Sequence, residues 1–211
     1  MTTQFVTADA YRWMANFAVL IDANYDRLTA LDSRIGDADH GANMARGAVA
    51  IRDVLSDQAS LTPHELLHAI GEAVLEGIGG AAGPLYASLI LGMANTGIDR
   101  DALTVTELAA SVEAGVAALA RRGSTELNDK TMYDAAAPAA RAMLDAAADG
   151  ADLMSTARAA EQASLDGLAA TEALQARKGR ASYLGPRSVG HLDPGAASVT
   201  LLFTALADAV A

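Results

Sequence analysis

Apolar residues recur at intervals of three and four along most of the chain, with no sustained two-residue alternation, so the pattern predicts helices and no strands. Trp13, Phe17, Leu20, Ile21 and Leu28 form one stripe and place a first helix over about residues 7–30, with a second at about 40–55. Thr62-Pro63-His64-Glu65 has the form of a capping box with proline at the first helical position, and opens a third helix that carries Leu66, Ile70, Val74 and Ile78. A fourth covers about 84–96 and stops at Gly97. Thr104-Val105-Thr106-Glu107 is a second capping box; Val105, Leu108, Val112, Val116 and Leu119 continue a seam until Gly123 ends the fifth helix. Helices six and seven span about 131–148 and 152–176, and Asp193-Pro194 caps an eighth that reaches the C-terminus.

Alanine throughout and few β-branched residues favour helix, because Ala loses no side-chain entropy on coiling. Eight such helices joined by short links pack against their sequence neighbours in antiparallel fashion, as one all-α domain over residues 1–211. Alternate links then lie at the same end. The links after helices one, three, five and seven hold unusual concentrations of Gly, Asp, Lys and Arg, so all four are expected to meet at one rim.

Fifteen Lys and Arg against 26 Asp and Glu leave a net charge of −11, which disfavours a nucleic-acid or anionic-membrane surface. With no cysteine there is no disulfide, thiolate metal site or thiol nucleophile, and the composition fits the cytoplasm. The N-terminal residues lack the basic and apolar regions of a signal peptide. The uncharged stretch 77–98 is long enough to span a bilayer, but seven Gly and Pro residues interrupt it, so it reads as a buried helix behind a glycine loop.

Four segments could carry chemistry. Asp32, Asp37 and Asp39 fall within eight positions and repel one another unless a cation lies among them or a helix N-terminus absorbs the charge. One reading has Asp37 or Asp39 capping helix two with Asp32 solvated; the other is an all-oxygen site for magnesium or calcium. The EF-hand pattern fails, since Ala42 and Ala48 stand where its glycine and glutamate belong. Gly79-Gly80-Ala81-Ala82-Gly83 runs into a helix N-terminus, whose free amides suit phosphate, although glycines also serve close packing. In the loop 123–132, Lys130 either neutralises a phosphate or sits in solvent; the segment is not a Walker motif. Arg177, Lys178, Arg180 and Arg187 crowd the last odd link. With Arg121, Arg122 and Lys130 they place seven of the fifteen basic residues beside the acidic trio, as a metal–polyphosphate complex requires. None of the four histidines belongs to a nucleophilic triad, and Met14, Met44, Met93, Met143 and Met154 read as core fillers.

Gly36-Asp37-Ala38-Asp39-His40-Gly41, Gly79-Gly80-x-x-Gly83-Pro84-Leu85, Asp129-Lys130-Thr131-Met132 and the run from Ala176 through Asp193-Pro194-Gly195 together resemble the L subunit, the ADP-binding partner, of dihydroxyacetone kinases. The resemblance covers nearly the whole chain, in order. It implies an eight-helix antiparallel up-and-down barrel with the nucleotide, ADP or ATP, at one end. By the same resemblance Asp32, Asp37 and Asp39 hold two magnesium ions. His40, Gly41, Ala42 and Asn43, with Ala81 and Ala82, line the phosphate and nucleoside site, and Gly123, Met132, Arg180, Asp193, Pro194 and Gly195 complete it. Ala82 stands where the family often has serine, which removes a hydroxyl but keeps the backbone amide.

The resemblance further implies that dihydroxyacetone sits on a separate K subunit. In phosphoenolpyruvate-dependent systems a phosphohistidine on an M subunit recharges the bound ADP. Arg180 and the magnesium ions would stabilise charge on the transferring group, with the activating group supplied by the partner. Three other readings stay open: a subunit of an ATP-dependent kinase for another ketose such as erythrulose, a nucleotide-sensing module that docks onto a transcription factor, and a cation-binding helical bundle without nucleotide.

Overall fold

The computed structural model describes residues 4–57, 61–95 and 100–211. Among these, nine α-helices run in order: α1 Thr7–Ala23, α2 Tyr25–Ile35, α3 His40–Ser56, α4 Pro63–Gly77, α5 Ala82–Ala94, α6 Val105–Gly123, α7 Tyr133–Ala148, α8 Leu153–Ala170 and α9 Pro194–Ala209. From α3 onward each helix packs on its sequence neighbour, and α1 packs on both α3 and α9. Eight helices therefore close into an antiparallel ring. The remaining one, α2, lies across the rim against α3, α9 and the segment Arg180–Ser188.

The caps read from sequence are in place. Thr62 and Thr104 each accept the amide of the glutamate three residues on, and each glutamate answers to the threonine amide. Asp152 and Asp193 accept from Ser155 and Ala196 at the starts of α8 and α9. The ring encloses Trp13, Phe17, Tyr86 and Phe203, all essentially buried. Phe17 stacks on Tyr86 with ring centroids 6.1 Å apart, and the Trp13 indole donates to the Leu202 carbonyl at 2.8 Å. Small residues set the helix spacing: a Cβ on Gly92 in α5 would lie 2.8 Å from the Gly115 Cα in α6, so the two backbones touch where both lack a side chain. No helix among the described residues is long and apolar enough to cross a membrane.

Four expectations change. The helix expected over 7–30 is two helices, because Asn24 stops α1 by donating its side-chain amide to the Leu20 carbonyl at 2.8 Å in competition with the backbone ladder. The helix expected to reach 176 ends at Ala170; the chain passes through one 3-10 turn, Thr171–Ala173, and is extended at Leu174. Strands, which the pattern did not predict, occur as one short antiparallel pair in which Gln4–Val6 meets Ala102–Thr104 and buried Phe5 faces buried Leu103. Met154 is 46% exposed rather than a core filler. The predicted stop of the fourth helix at Thr96 and Gly97 lies outside the described residues.

Candidate functional site

The break at Asn24 lets α2 lean across the open end of the ring and deliver Asp32, in its last turn, to the start of α3. The buried Asp32 carboxylate accepts the amides of Asp39 at 2.9 Å and His40 at 3.2 Å. It therefore does the work of a helix cap from the preceding helix. Asp39 occupies the N-cap position of α3 but makes no side-chain cap bond, so the reading of Asp37 or Asp39 as the cap gives way to Asp32. One oxygen from each of Asp32, Asp37 and Asp39 falls within 4.8 Å of the others. Three hard carboxylate oxygens converging at that spacing, with one of the three carboxylates anchored on backbone amides, fit a magnesium- or calcium-sized cation.

These carboxylates form one wall of a cavity of about 630 Å³ at the open end of the ring, within the usual range for a small-molecule site. The second wall is the N-terminus of α5, where Ala81 makes no side-chain cap bond and the backbone amides of the first turn point outward. Arg46 donates to the Asn43 side-chain oxygen and so fixes that amide on the cavity edge. Leu85, Leu119 and Met132 supply an apolar flank. The remaining wall belongs to the long connection between α8 and α9, from which the Arg180 guanidinium reaches across to Asp37 at 2.9 Å. The basic link and the acidic link therefore face each other.

Beneath the carboxylates, His40 Nε2 lies 2.9 Å from Ser198 Oγ, and the Tyr86 hydroxyl donates to the same oxygen at 2.7 Å. Burial pushes the His40 imidazole below its ordinary value despite nearby Asp32 and Asp39, and pushes the Tyr86 phenol up. Asp193 is pushed up to about 7, chiefly by burial and further by Asp134, against the lowering pull of the Ala196 amide and Lys130.

Of the residues that the family resemblance assigns to the site, all but Gly41 and Ala42 line this cavity; of the seven basic residues expected beside the acidic trio, Arg122, Lys130, Lys178 and Arg180 line it and Arg121, Arg177 and Arg187 do not. Gly41 is turned toward α2 instead: a Cβ there would come within 2.1 Å of Thr29 Oγ1 and 2.6 Å of the Tyr25 carbonyl, so its role is to let α2 lie close over α3. Lys130 borders the cavity but is not in solvent. It is 1% exposed and its ammonium donates to backbone carbonyls of the α8–α9 connection. The cavity also includes Leu119 and Tyr86, which the sequence places on ordinary core stripes; no local signal separates them from their buried neighbours.

Comparison with known proteins gives this geometry a family. Residues 34–208 match the DAK2 domain. The chain is 37% identical over 197 residues to the PEP-dependent dihydroxyacetone kinase 1 ADP-binding subunit DhaL of Listeria innocua, covering 93% of each chain. It is 35% identical over 195 residues to the corresponding PEP-dependent subunit of Escherichia coli, covering 92% of this chain and 93% of that one. The dihydroxyacetone kinase of C. freundii, solved in complex with AMP-PNP and Mg2+, shares the fold with a TM-score of 0.72 at 23% identity; 99% of this chain is covered but only 35% of that one, so the chain spans about a third of its length. A match over most of the sequence, together with relatives aligned nearly end to end, means that the chain belongs to the DAK2 domain family, in which its close relatives are ADP-binding subunits of dihydroxyacetone kinases.

Proposed function

We propose that this chain is the nucleotide-binding subunit of a phosphoenolpyruvate-dependent dihydroxyacetone kinase of the cytoplasm, holding magnesium-bound ADP or ATP in the open-end cavity. The observation that carries this reading is the meeting of two opposed charge sets in one cavity: three carboxylates within 4.8 Å of one another, and Arg180 reaching them from the opposite wall. Asp32, Asp37 and Asp39 would hold two Mg2+ ions, with Asp32 kept in place by the amides of Asp39 and His40. Magnesium held there would supply charge neutralisation for the phosphates.

The chain's own residues then divide the remaining work. The amides at the α5 N-terminus, including those of Ala81 and Ala82, receive phosphate oxygens, and the alanine at position 82 leaves this to the backbone. Asn43 binds at the same edge, and Gly123, Leu119 and Met132 form the apolar bed for the nucleoside. Gly195 and Pro194 close the floor beside Asp193, whose carboxylate is committed to the Ala196 amide at 2.7 Å. Arg180 exchanges its carboxylate partner for phosphate and stabilises charge on the transferring group.

Phosphoryl transfer to a hydroxyl also needs the acceptor to be held in line and its proton taken up. His40 is engaged with Ser198 and biased toward its neutral form by burial, and no other histidine lines the cavity among the described residues. We therefore assign acceptor binding and activation to a separate K subunit carrying dihydroxyacetone, and recharging of ADP to a phosphohistidine M subunit. The test is an assay of the purified chain with ATP, Mg2+ and dihydroxyacetone. No turnover is expected until a K subunit is added, whereas sustained turnover by the chain alone would overturn the division of labour.

A further inference from the structure

We propose that the Lys130 ammonium is a positioning group for nucleotide binding: it gathers four backbone carbonyls from the two ends of the α8–α9 connection and thereby holds Lys178 and Arg180 at the cavity mouth. The carbonyl oxygens of Thr171, Leu174, Ser188 and His191 lie 2.8, 3.0, 2.7 and 2.5 Å from Lys130 Nζ. Two of these residues leave α8 and two approach α9, so one cation closes the base of a strap running from 174 to 191. An ammonium has three protons, and one is therefore shared between two of the four acceptors. Without it, four carbonyl dipoles would point their negative ends at a common centre.

The middle of the strap rests on α2, where Ala176, Ala181 and Leu184 pack on Ile35 and Arg180 pairs with Asp37, but these contacts do not join its two ends. The strap carries one 3-10 segment, Arg180–Ser188, kinked at Gly185. Besides Lys130, the base is tied by the Gly190 amide to the Glu172 carbonyl at 2.8 Å, the Ala176 amide to Ser188 Oγ at 2.9 Å and the Asp193 amide to Thr171 Oγ1 at 3.0 Å. Between them stand Lys178 and Arg180, both lining the cavity.

The loop that delivers Lys130 is shaped for that task. Lys130 has φ +61°, a left-handed conformation that costs a side-chain-bearing residue about 1 kcal/mol. Asp134 accepts the amides of Asn128 and Thr131, Asp129 accepts that of Glu126 at 2.9 Å, and the Arg177 amide donates to the Asp129 carbonyl at 3.0 Å. A loop braced on both sides of a strained lysine that borders the cavity, its ammonium committed to four strap carbonyls, makes a cross-link between loop and strap rather than a phosphate ligand.

The effect on nucleotide rests on the function proposed above; the effect on the strap does not. The experiment therefore reads both, on the full chain, in Lys130→Met and Lys130→Gly. The second variant relieves the positive φ, so a loss it shows does not come from backbone strain, and the amine restoration below separates the missing ammonium from the missing stem. In variants that keep parental helical circular dichroism, trypsin cleavage after Arg177, Lys178, Arg180 and Arg187 is expected to accelerate about tenfold or more, as local opening of the strap allows. Mg-ADP affinity is expected to fall by about tenfold or more. In Lys130→Gly, propylammonium and not propanol is expected to restore slow cleavage and, with it, ADP affinity. Strap cleavage within about twofold of the parent in a folded variant would overturn the proposal, as would accelerated cleavage spread evenly over the helices or the absence of any amine-specific restoration. If the parent binds no ADP, the function fails while the cleavage and restoration results still decide the role of Lys130.

Discussion

The acidic wall of the cavity is made by Asp32 in the last turn of α2 and the four-residue connection Gly36 to Asp39 that follows it, and the buried Asp32 carboxylate is held by the amides of Asp39 and His40 at the start of α3. The basic wall is made by some twenty residues between α8 and α9, and its shape depends on a lysine more than forty positions earlier in the chain. The contrast shows two ways of holding charge near charge. A short link between helix ends can use the helix N-terminus as its counter-charge, whereas a long strap has no such local partner and must be fixed by a cation from elsewhere in the fold. The acidic wall is therefore expected to fail through loss of ligand and the basic wall through loss of position.

The largest effect should come from the acidic side. Asp37→Asn removes one of the three converging carboxylates, and Mg-ADP affinity is expected to fall about a hundredfold or more by calorimetry, with thermal stability nearly unchanged because Asp37 is exposed. Next is the helix contact that supports this wall. Gly41→Ala places a Cβ against Thr29 and the Tyr25 carbonyl and is expected to cost about 2 kcal/mol in denaturant unfolding, with weaker Mg-ADP binding as Asp32 is displaced.

Asp193 links the strap to α9 and gives a pH signature. Its folded value, about 7, lies above that of an unfolded aspartate, so its protonated form favours the fold. That contribution is fully present below about pH 4 and is lost as the pH rises toward and through about 7. Asp193→Asn keeps an oxygen for the Ala196 amide. It is expected to flatten the melting temperature between about pH 5 and 8 relative to the parent, a difference of several degrees at most. The smallest effect on the fold belongs to Arg180→Ala. The Arg180–Asp37 pair is largely exposed, so stability should change by less than about 1 kcal/mol. Mg-ADP affinity should nevertheless fall about tenfold. An equal loss of stability and affinity would mean that the pair serves the fold and not the ligand.

What the sequence made legible follows the same contrast. Thr62, Thr104, Asp152 and Asp193 announce their helices because capping is a local interaction, decided within three or four residues. The acidic trio was legible as a cluster for the same reason, and so was its meeting with the basic link, since alternate loops of an antiparallel ring share an end. The break at Asn24 was not, because no Gly or Pro marks it and the competing bond comes from an amide that helices often tolerate. The pairing of Gln4–Val6 with Ala102–Thr104 joins two three-residue strands about a hundred positions apart, too short to impose a period. Lys130 was the hardest case. Sequence spacing gives a loop lysine only two ordinary destinations, solvent or an anion, and its four carbonyl partners exist only after the strap has folded around it.

The central claim is that divalent cations held by Asp32, Asp37 and Asp39 are what allow a polyphosphate to sit against three carboxylates. Titration calorimetry of ADP into nucleotide-free protein, in Mg2+ and then in excess EDTA, tests it most directly. The account predicts saturable ADP binding in Mg2+ that disappears on chelation and returns when Mg2+ is restored; ADP binding of equal affinity in EDTA would contradict it.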